Sequence, residues 1–251
     1  MEFKKDKMQV KIFADRDEMG KGAAADIANC IKKLLKEKDE INMIFAAAPS
    51  QNDMLFHLLN EEGIEWERIN AFHMDEYVGL DAAAPQCFSN FLRKHIFDQK
   101  PFKSVNCINA AATDAEAECE RYSKLLIENP VDIVCMGIGE NGHIAFNDPH
   151  VAEFNDKKVV KVVELDDVCR MQQVHDGCFD KLESVPKYAI TLTIPTLMSA
   201  GYNFCVVPAK TKAEAVKRTV NDEINEKCPA TILRKKENAV LYCDEQSSSL
   251  L

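Results

Sequence analysis

The chain has 251 residues, of which 46% are hydrophobic and 29% charged, so it can form one large α/β domain or two small ones around a real core. Its formal net charge of −10 argues against nucleic acid or an anionic membrane as the main partner, because both need a basic face. We find no signal peptide and no apolar run of the roughly 18 residues that a membrane span needs, and therefore expect a cytoplasmic protein.

Segments with strand and helix patterns alternate in the first half of the chain. Residues 10–14 predict a strand, and residues 16–37 carry apolar side chains at three- and four-residue spacing, which indicates an amphipathic helix. An apolar run at 41–48 predicts a buried strand, and Ser50 is placed to cap the helix that follows it. The next predicted elements are a strand at 69–74, helices at 87–97 and 113–129, and a strand at 131–138.

The second half continues this alternation with strands at 159–165, 188–194 and 202–208, a helix at 211–220 and a last strand at 239–244. Apolar strands without clean alternation are typical of a parallel sheet that is covered on both faces. No Pro/Gly/Ser linker and no internal repeat divides the chain. We therefore predict a single domain over residues 1–251, a Rossmann-like three-layer α/β/α fold with a doubly wound, mostly parallel sheet of about seven strands.

Ligands bind at the carboxyl ends of the strands in such a sheet. The exits of the predicted strands at 41–48, 69–74, 131–138 and 202–208 all carry polar or glycine-rich residues. We expect these four exits to converge on one cleft. The ten cysteines form no CxxC pair and no Cys/His cluster with zinc-ligand spacing, so we predict reduced, buried thiols and no metal site.

The exit after residues 131–138 is rich in glycine. Gly139 and Gly142 allow tight turns and a close approach of the backbone to a ligand, so we count them as candidate substrate-binding positions. Residues 137–142 also match a GxGxxG pattern. However, the Asp-Pro pair at 148–149 would stop a helix almost at once, and pyrophosphate binding needs that helix. The sequence therefore argues against a dinucleotide cofactor.

Two polar clusters at strand exits are candidates for acid–base chemistry. His143 lies in the glycine turn near Asn141 and near Asp148, whose carboxylate could fix the histidine tautomer and raise its basicity. Asp75 and Glu76 follow the strand at 69–74, where they either begin a solvated helix or place a general base in the cleft. We predict a catalytic or ligand-binding role for His143 and favour the cleft position for Asp75.

With these residues in view, the chain resembles the glucosamine-6-phosphate deaminase (isomerising) family over residues 10 to about 250. Two long segments carry the resemblance, Phe72–Leu80 (FHMDEYVGL) and Gly137–Pro149 (GIGENGHIAFNDP). The resemblance implies a doubly wound fold and a reaction that needs no metal or redox cofactor. It also implies that a histidine at the position of His143 opens the pyranose ring, assisted by residues at the positions of Asn141 and Asp148.

The same resemblance assigns the proton abstraction at the sugar C2 to Asp75. A cis-enediol-type intermediate follows, ammonia leaves from C2, and a ketose phosphate results. Glu76 flanks the base and is expected to support the pocket as a substrate-binding residue. The implied reaction converts glucosamine 6-phosphate and water into fructose 6-phosphate and ammonia, so the expected partner is a small sugar phosphate. The family contains both hexamers and monomers, which leaves a homo-oligomer open.

The part of the site that would hold the phosphate departs from the family pattern. Residues 46–52 read AAAPSQN, where typical members have a Gly-Gly-Thr or Gly-Ser-Thr loop. The usual phosphate arginine has no clear counterpart, and Arg170 lies several residues upstream of its expected place. Ser50 and Gln51 in the altered loop, together with Arg170, are therefore candidate substrate-binding residues.

Lys212 does match the phosphate lysine of the family. Lys210 and Lys212 precede a predicted helix, where they either bind an anion together with the helix dipole or form a solvated cap. We favour a retained phosphate because a charge-assisted hydrogen bond to an anion is among the stronger contacts available.

Two other functions compete with this prediction. A 6-phosphogluconolactonase would tend to have Asp-Glu-Arg where this chain has Asp75-Glu-Tyr, and a different run after the glycine-histidine pair at 142–143. A non-catalytic sugar-phosphate sensor would normally carry an N-terminal helix-turn-helix, for which a first strand near residue 9 leaves no room. Such a sensor would also not need both Asp75 and His143.

Overall fold

The computed structural model describes all 251 residues, which form eleven strands and seven α-helices. The strands are β1 (Glu2–Lys5), β2 (Met8–Phe13), β3 (Ile41–Phe45), β4 (Ile69–His73), β5 (Asp75–Tyr77), β6 (Ser104–Asn106), β7 (Ile133–Met136), β8 (Val160–Glu164), β9 (Tyr188–Leu192), β10 (Tyr202–Val207) and β11 (Ala239–Asp244). The helices are α1 (Arg16–Leu34), α2 (Asn52–Leu59), α3 (Phe88–Leu92), α4 (Ala115–Glu128), α5 (Asp167–His175), α6 (Ile194–Ser199) and α7 (Ala213–Asn221). A π-helical turn at Arg93–Phe97 extends α3.

The main sheet has eight strands in the order β1-β2-β11-β10-β7-β3-β4-β6, and only β1 runs antiparallel to its neighbour. Helices α1 and α2 cover one face, and α4 and α7 cover the other. In β3, Met43 and Phe45 pack on the face covered by α1 and α2, while Ile44 packs on the face covered by α4 and α7. Because both faces of the sheet are covered, neither side of this strand is exposed to solvent. The predicted fold class, a doubly wound and mostly parallel α/β sheet, is confirmed.

A second sheet of three antiparallel strands, in the order β5-β9-β8, lies apart from the main sheet. The segments at 159–165 and 188–194 do form strands, but counting them into the main sheet was wrong. Their partner is β5, which starts two residues after β4 ends and pairs Asp75 with Thr191. Apolar composition predicts a buried strand, but it cannot say which sheet receives it.

The central strands of the main sheet set the position of the functional site. In the order β10-β7-β3-β4 they are immediate neighbours, and all four run parallel. Their carboxyl ends therefore lie side by side, and the four loops that follow them meet, as the sequence predicted. No helix in the fold combines the length and the apolar composition that a membrane crossing would need.

Candidate active site

One cleft lies at the carboxyl ends of these four strands, and each of the four exits contributes to it. Six of the predicted site residues line this cleft: Ser50 and Gln51 after β3, Asp75 after β4, Gly139 and His143 after β7, and Lys212 after β10. At each of the four strand exits, the sequence analysis therefore identified at least one side chain that lines the cleft.

His143 is held by a carboxylate and an amide that lie behind it. Its Nδ1 lies 2.9 Å from Asp148 Oδ1, and Asp148 is fully buried. Asn141 donates from Nδ2 to the same carboxylate at 2.9 Å, and its Oδ1 accepts the His143 backbone N–H at 3.0 Å. With Nδ1 directed at the carboxylate, Nε2 is the ring nitrogen left to exchange protons with a ligand.

The charge state of Asp148 follows from its surroundings. Burial by itself raises the pKa of this carboxyl, but contacts with His143 and Asn141 and the Asp166 backbone N–H outweigh burial and lower the pKa below its ordinary value. Asp148 is therefore ionised at neutral pH and can stabilise a positively charged imidazole. Asn141 does not line the cleft, and its side chain contacts Asp148 and the backbone of the turn.

Two glycines shape the turn that carries His143. A Cβ on Gly139 would lie 2.1 to 2.4 Å from the atoms of the His143 ring, so the ring occupies the space of the missing side chain. Gly142 has φ +88°, and a Cβ there would lie 2.6 Å from Cys228 Sγ. Gly142 does not line the cleft, so the structure gives it a role in forming the turn where we had expected contact with substrate.

We expect Gly139→Ala to displace the His143 ring. With His143 as the predicted acid–base group, turnover should fall on the order of 10²-fold, because misplacing such a group by about 1 Å has effects of this size. Gly63→Ala is the matched control. It adds a methyl group at a glycine whose φ of +72° strains any side chain but whose nearest neighbour, Lys32, makes only an ordinary contact, so it reports a loss of stability without displacing His143. Turnover of both variants, measured at a temperature where both stay folded, tests the packing. Normal turnover in Gly139→Ala would contradict it.

Asp75 is a buried carboxylate without a partner. It is 7% exposed, it lines the cleft, and its side chain makes no hydrogen bond or ion pair within the protein. Burial raises its pKa well above the ordinary value, and the adjacent Glu76 raises it further. A carboxylate with a raised pKa that lines a cleft is suited to general-base catalysis.

The neighbouring Glu76 points to the other side of β5, because successive side chains of a strand alternate. Its carboxylate accepts the backbone N–H groups of Phe88 at 3.0 Å and Ser89 at 2.9 Å. Glu76 was predicted to bind substrate, but the structure does not bring it to the cleft. It fixes the start of α3, where Phe88 lines the cleft.

Arg170 is also turned away from the cleft. Its guanidinium donates to the carbonyls of Leu182 at 2.8 Å and Val185 at 3.0 Å and pairs with Asp167 at 2.9 Å. These contacts fix the segment between α5 and β9, and they do not place the guanidinium where a substrate anion could reach it. The sequence missed α5 and with it Gln172 and Gln173, which do line the cleft.

Lys212 is the one lysine or arginine that lines the cleft. It is 6% exposed, and its ammonium makes no hydrogen bond or ion pair within the protein. Burial lowers the pKa of Lys212, while the charges of Asp176 and Glu140 partly offset this effect. A buried ammonium without a partner is unfavourable, so this position favours an anionic ligand.

The altered loop after β3 supplies neutral polar groups beside this lysine. Gln51 donates from Nε2 to Ser50 Oγ and to the Val206 carbonyl, both at 3.1 Å, while its buried Oε1 has no partner. Ser50 was predicted to cap α2, which is wrong. It lies in the 3₁₀ turn Pro49–Gln51 before that helix and makes no capping bond, so its hydroxyl can donate to a ligand.

Three donors in the site could in principle hold a metal ion. The ligand atoms of His143, Asp148 and Cys169 lie within 4.8 Å of one another. However, burial and the charges of Asp148 and Asp166 raise the pKa of the Cys169 thiol well above its ordinary value, and the thiolate is the form that binds metals. The chemistry of this cluster therefore favours an acid–base pair over a metal centre.

Comparisons with known proteins identify the family of the chain. Residues 14–242 match the family model described as glucosamine-6-phosphate isomerases/6-phosphogluconolactonase. A glucosamine-6-phosphate deaminase of Bacillus cereus is 33% identical over 243 residues, 97% of this chain and 89% of the relative. A second, from Streptococcus sanguinis, is 34% identical over 221 residues, 87% of this chain and 92% of the relative.

Solved structures give the same result. A monomeric glucosamine-6-phosphate deaminase superposes with a TM-score of 0.86 at 29% identity, over 96% of this chain and 99% of the other. A 6-phosphogluconolactonase from Thermotoga maritima superposes with a TM-score of 0.76 over 94% of this chain and 98% of the other, but its 20% identity supports the fold alone. This chain is therefore an enzyme that belongs to the family of glucosamine-6-phosphate isomerases and 6-phosphogluconolactonases.

Proposed function

We propose that the enzyme converts glucosamine 6-phosphate and water into fructose 6-phosphate and ammonia. The observation that carries this proposal is that the unpartnered Asp75 carboxylate and the His143 ring, which is backed by Asp148, line one cleft. The reaction needs two separate proton transfers, one at the ring oxygen and one at C2. The names of the B. cereus and S. sanguinis relatives support the choice of substrate.

In this proposal His143 exchanges a proton between the C1 hydroxyl and the ring oxygen, which opens the pyranose to the aldehyde. Nε2 makes the transfer while Asp148 stabilises the charged imidazole through Nδ1. Asp75 then removes the C2 proton, which the carbonyl at C1 has made acidic. Reprotonation at C1 and addition of water at C2 release ammonia and leave the ketose.

Lys212 supplies the charge that holds the phosphate. The Ser50 hydroxyl and the Gln173 amide stand in the same cleft as neutral donors, and Gln51 orients that hydroxyl by donating to its oxygen. This set replaces the glycine-rich loop and arginine of typical family members. A single buried ammonium with neutral donors is enough for a charge-assisted contact, which is stronger than a neutral hydrogen bond.

We expect Lys212→Ala to raise KM for glucosamine 6-phosphate at least tenfold, equivalent to about 1.4 kcal/mol. Lys210→Ala is the matched control, because Lys210 lies in the same 3₁₀ turn but is exposed and outside the cleft. Glucosamine, galactosamine 6-phosphate and glucosamine 6-phosphate should be compared with both variants. If glucosamine reacts as well as its phosphate and Lys212→Ala changes nothing, the phosphate assignment is wrong.

A further inference from the structure

The loop between β10 and α7 contains a backbone conformation that alanine rarely adopts. Ala209 has φ 81° and ψ 149°, a region populated almost only by glycine. Such a conformation persists only where the surrounding structure enforces it. Ala209 lies three residues before Lys212, at the exit of a strand that leads into the cleft.

The side chain that binds the backbone at this point is Asp244, the last residue of β11. Its Oδ2 accepts the Ala209 backbone N–H at 3.0 Å, and its Oδ1 accepts the Ser247 N–H at 2.7 Å. Asp244 is buried and forms no ion pair, so these backbone donors are the partners of its side chain. Strands β10 and β11 are parallel neighbours that pair Val207 with Cys243, which brings the carboxylate beside the loop.

The same loop sets the position of the cleft lysine. The carbonyl of Ala209 accepts the Lys212 N–H at 3.0 Å, which closes one 3₁₀ turn. The backbone of Lys212 is therefore fixed relative to Ala209. Its ammonium, in contrast, makes no hydrogen bond or ion pair in the protein, so its position depends on the turn and on the packing of the side chain.

We propose that Asp244 is a positioning residue for Lys212, and that it holds the loop after β10 in the conformation that delivers the ammonium to the substrate anion. This inference rests on the proposed role of Lys212. Since alanine has no intrinsic preference for the observed conformation, the placement of the lysine depends on the carboxylate. A glycine at position 209 would adopt the conformation without this help.

Asp244→Asn tests the proposal with a nearly isosteric change. One carboxylate oxygen becomes an NH₂ group, which cannot accept either backbone N–H, so one of the two bonds is lost. We expect KM for glucosamine 6-phosphate to rise about tenfold, with kcat changed less than about threefold, and KM for glucosamine to stay as in the wild type. Ala209→Gly in the Asp244→Asn background should recover most of the loss, because glycine tolerates the native φ.

Ser247→Ala is the structural control. It removes the hydroxyl that accepts the Asp244 N–H at 3.1 Å but leaves both bonds to the carboxylate. We expect a lower Tm and an unchanged KM. If Asp244→Asn lowers Tm in the same way and leaves KM for glucosamine 6-phosphate unchanged, Asp244 only stabilises the fold and the proposal is wrong.

Binding of inorganic phosphate, measured by calorimetry, gives a readout that does not depend on catalysis. Lys212→Ala and Asp244→Asn should both weaken it, whereas Ser247→Ala should not. If Lys212→Ala changes neither KM nor phosphate binding, the proposed role of Lys212 in binding the phosphate is wrong. If Lys212→Ala has an effect but Asp244→Asn has none, only the positioning role of Asp244 is rejected. If Asp244→Asn does not fold, Ala209→Val provides a second test, because it strains the same turn and leaves Asp244 intact. A wild-type KM for glucosamine 6-phosphate in Ala209→Val would overturn the proposal.

Discussion

Replacing Asp75 by asparagine will lower turnover of glucosamine 6-phosphate by about two orders of magnitude or more, because general-base steps contribute about 10²–10⁴-fold. The substitution keeps the shape of the side chain and removes its ability to accept a proton. Exchange of the substrate C2 hydrogen with D₂O, followed by NMR, should disappear together with turnover. Near-normal turnover in this variant would rule out Asp75 as the base.

The same variant should be more stable than the wild type at neutral pH. Burial raises the pKa of Asp75 in the folded protein above its value in the unfolded chain. The folded state therefore binds this proton more tightly, and stability is lost as the pH rises from the ordinary carboxyl pKa to the raised value. Asparagine cannot ionise, so the variant does not lose this stability. Tm of Asp75→Asn should therefore exceed that of the wild type at pH values above this window and approach it at low pH.

Glu76→Gln is the matched control for this stability effect. The Glu76 carboxylate accepts backbone N–H groups at the start of α3, and an amide would lose part of these bonds. Burial raises the pKa of Glu76 as well, and these bonds oppose the effect, so Tm should rise less in Glu76→Gln than in Asp75→Asn. Equal changes of Tm in the two variants would contradict the different surroundings that the structure gives these adjacent acids.

Replacing His143 by glutamine will affect ring opening far more than the later steps. We expect about a 10²-fold or larger loss with the cyclic substrate, because the variant has no titrating group at the ring oxygen. An open-chain analogue does not need this step and should still exchange its C2 hydrogen at a rate close to that of the wild type. Equal losses on cyclic and open-chain compounds would show that His143 acts elsewhere in the reaction.

Asp148→Asn removes the negative charge next to the His143 imidazole. The Asp148 carboxylate is ionised and lies 2.9 Å from Nδ1, so its removal destabilises the charged imidazole. The pH dependence of kcat/KM with the cyclic substrate should therefore change, while C2 exchange of the open-chain analogue should not. An unchanged pH profile would mean that the pair has a structural role only.

The parts of the fold that the sequence predicted well are those buried on both faces. Apolar runs such as those of β3 and β7 leave little choice of structure. Of the polar and glycine residues that follow buried strands, Asp75, Gly139 and His143 line the cleft as predicted. Short or exposed elements were missed. β1 is a polar strand at the edge of the sheet, and β6 has three half-buried residues. Their sequences carry no periodic signal.

Side-chain direction was the harder part of the site to predict. Asp75 and Glu76 are adjacent acids with the same chemistry, and only the pairing of β5 with β9 decides which of them faces the cleft. Arg170 carried the charge expected of a phosphate ligand, but nearby carbonyls bind its guanidinium. The amide of Gln173 had no motif to mark it. Each of these outcomes depends on tertiary contacts that no local pattern encodes.

The most direct test of the proposed reaction is the product balance of the wild-type enzyme with glucosamine 6-phosphate. We predict ammonium and fructose 6-phosphate in a one-to-one ratio, with loss of the label from substrate deuterated at C2. Purified enzyme should be assayed in parallel with 6-phosphogluconolactone. Hydrolysis of the lactone without release of ammonium from the amino sugar would contradict the account, because it would leave Asp75 without a C2 proton to remove.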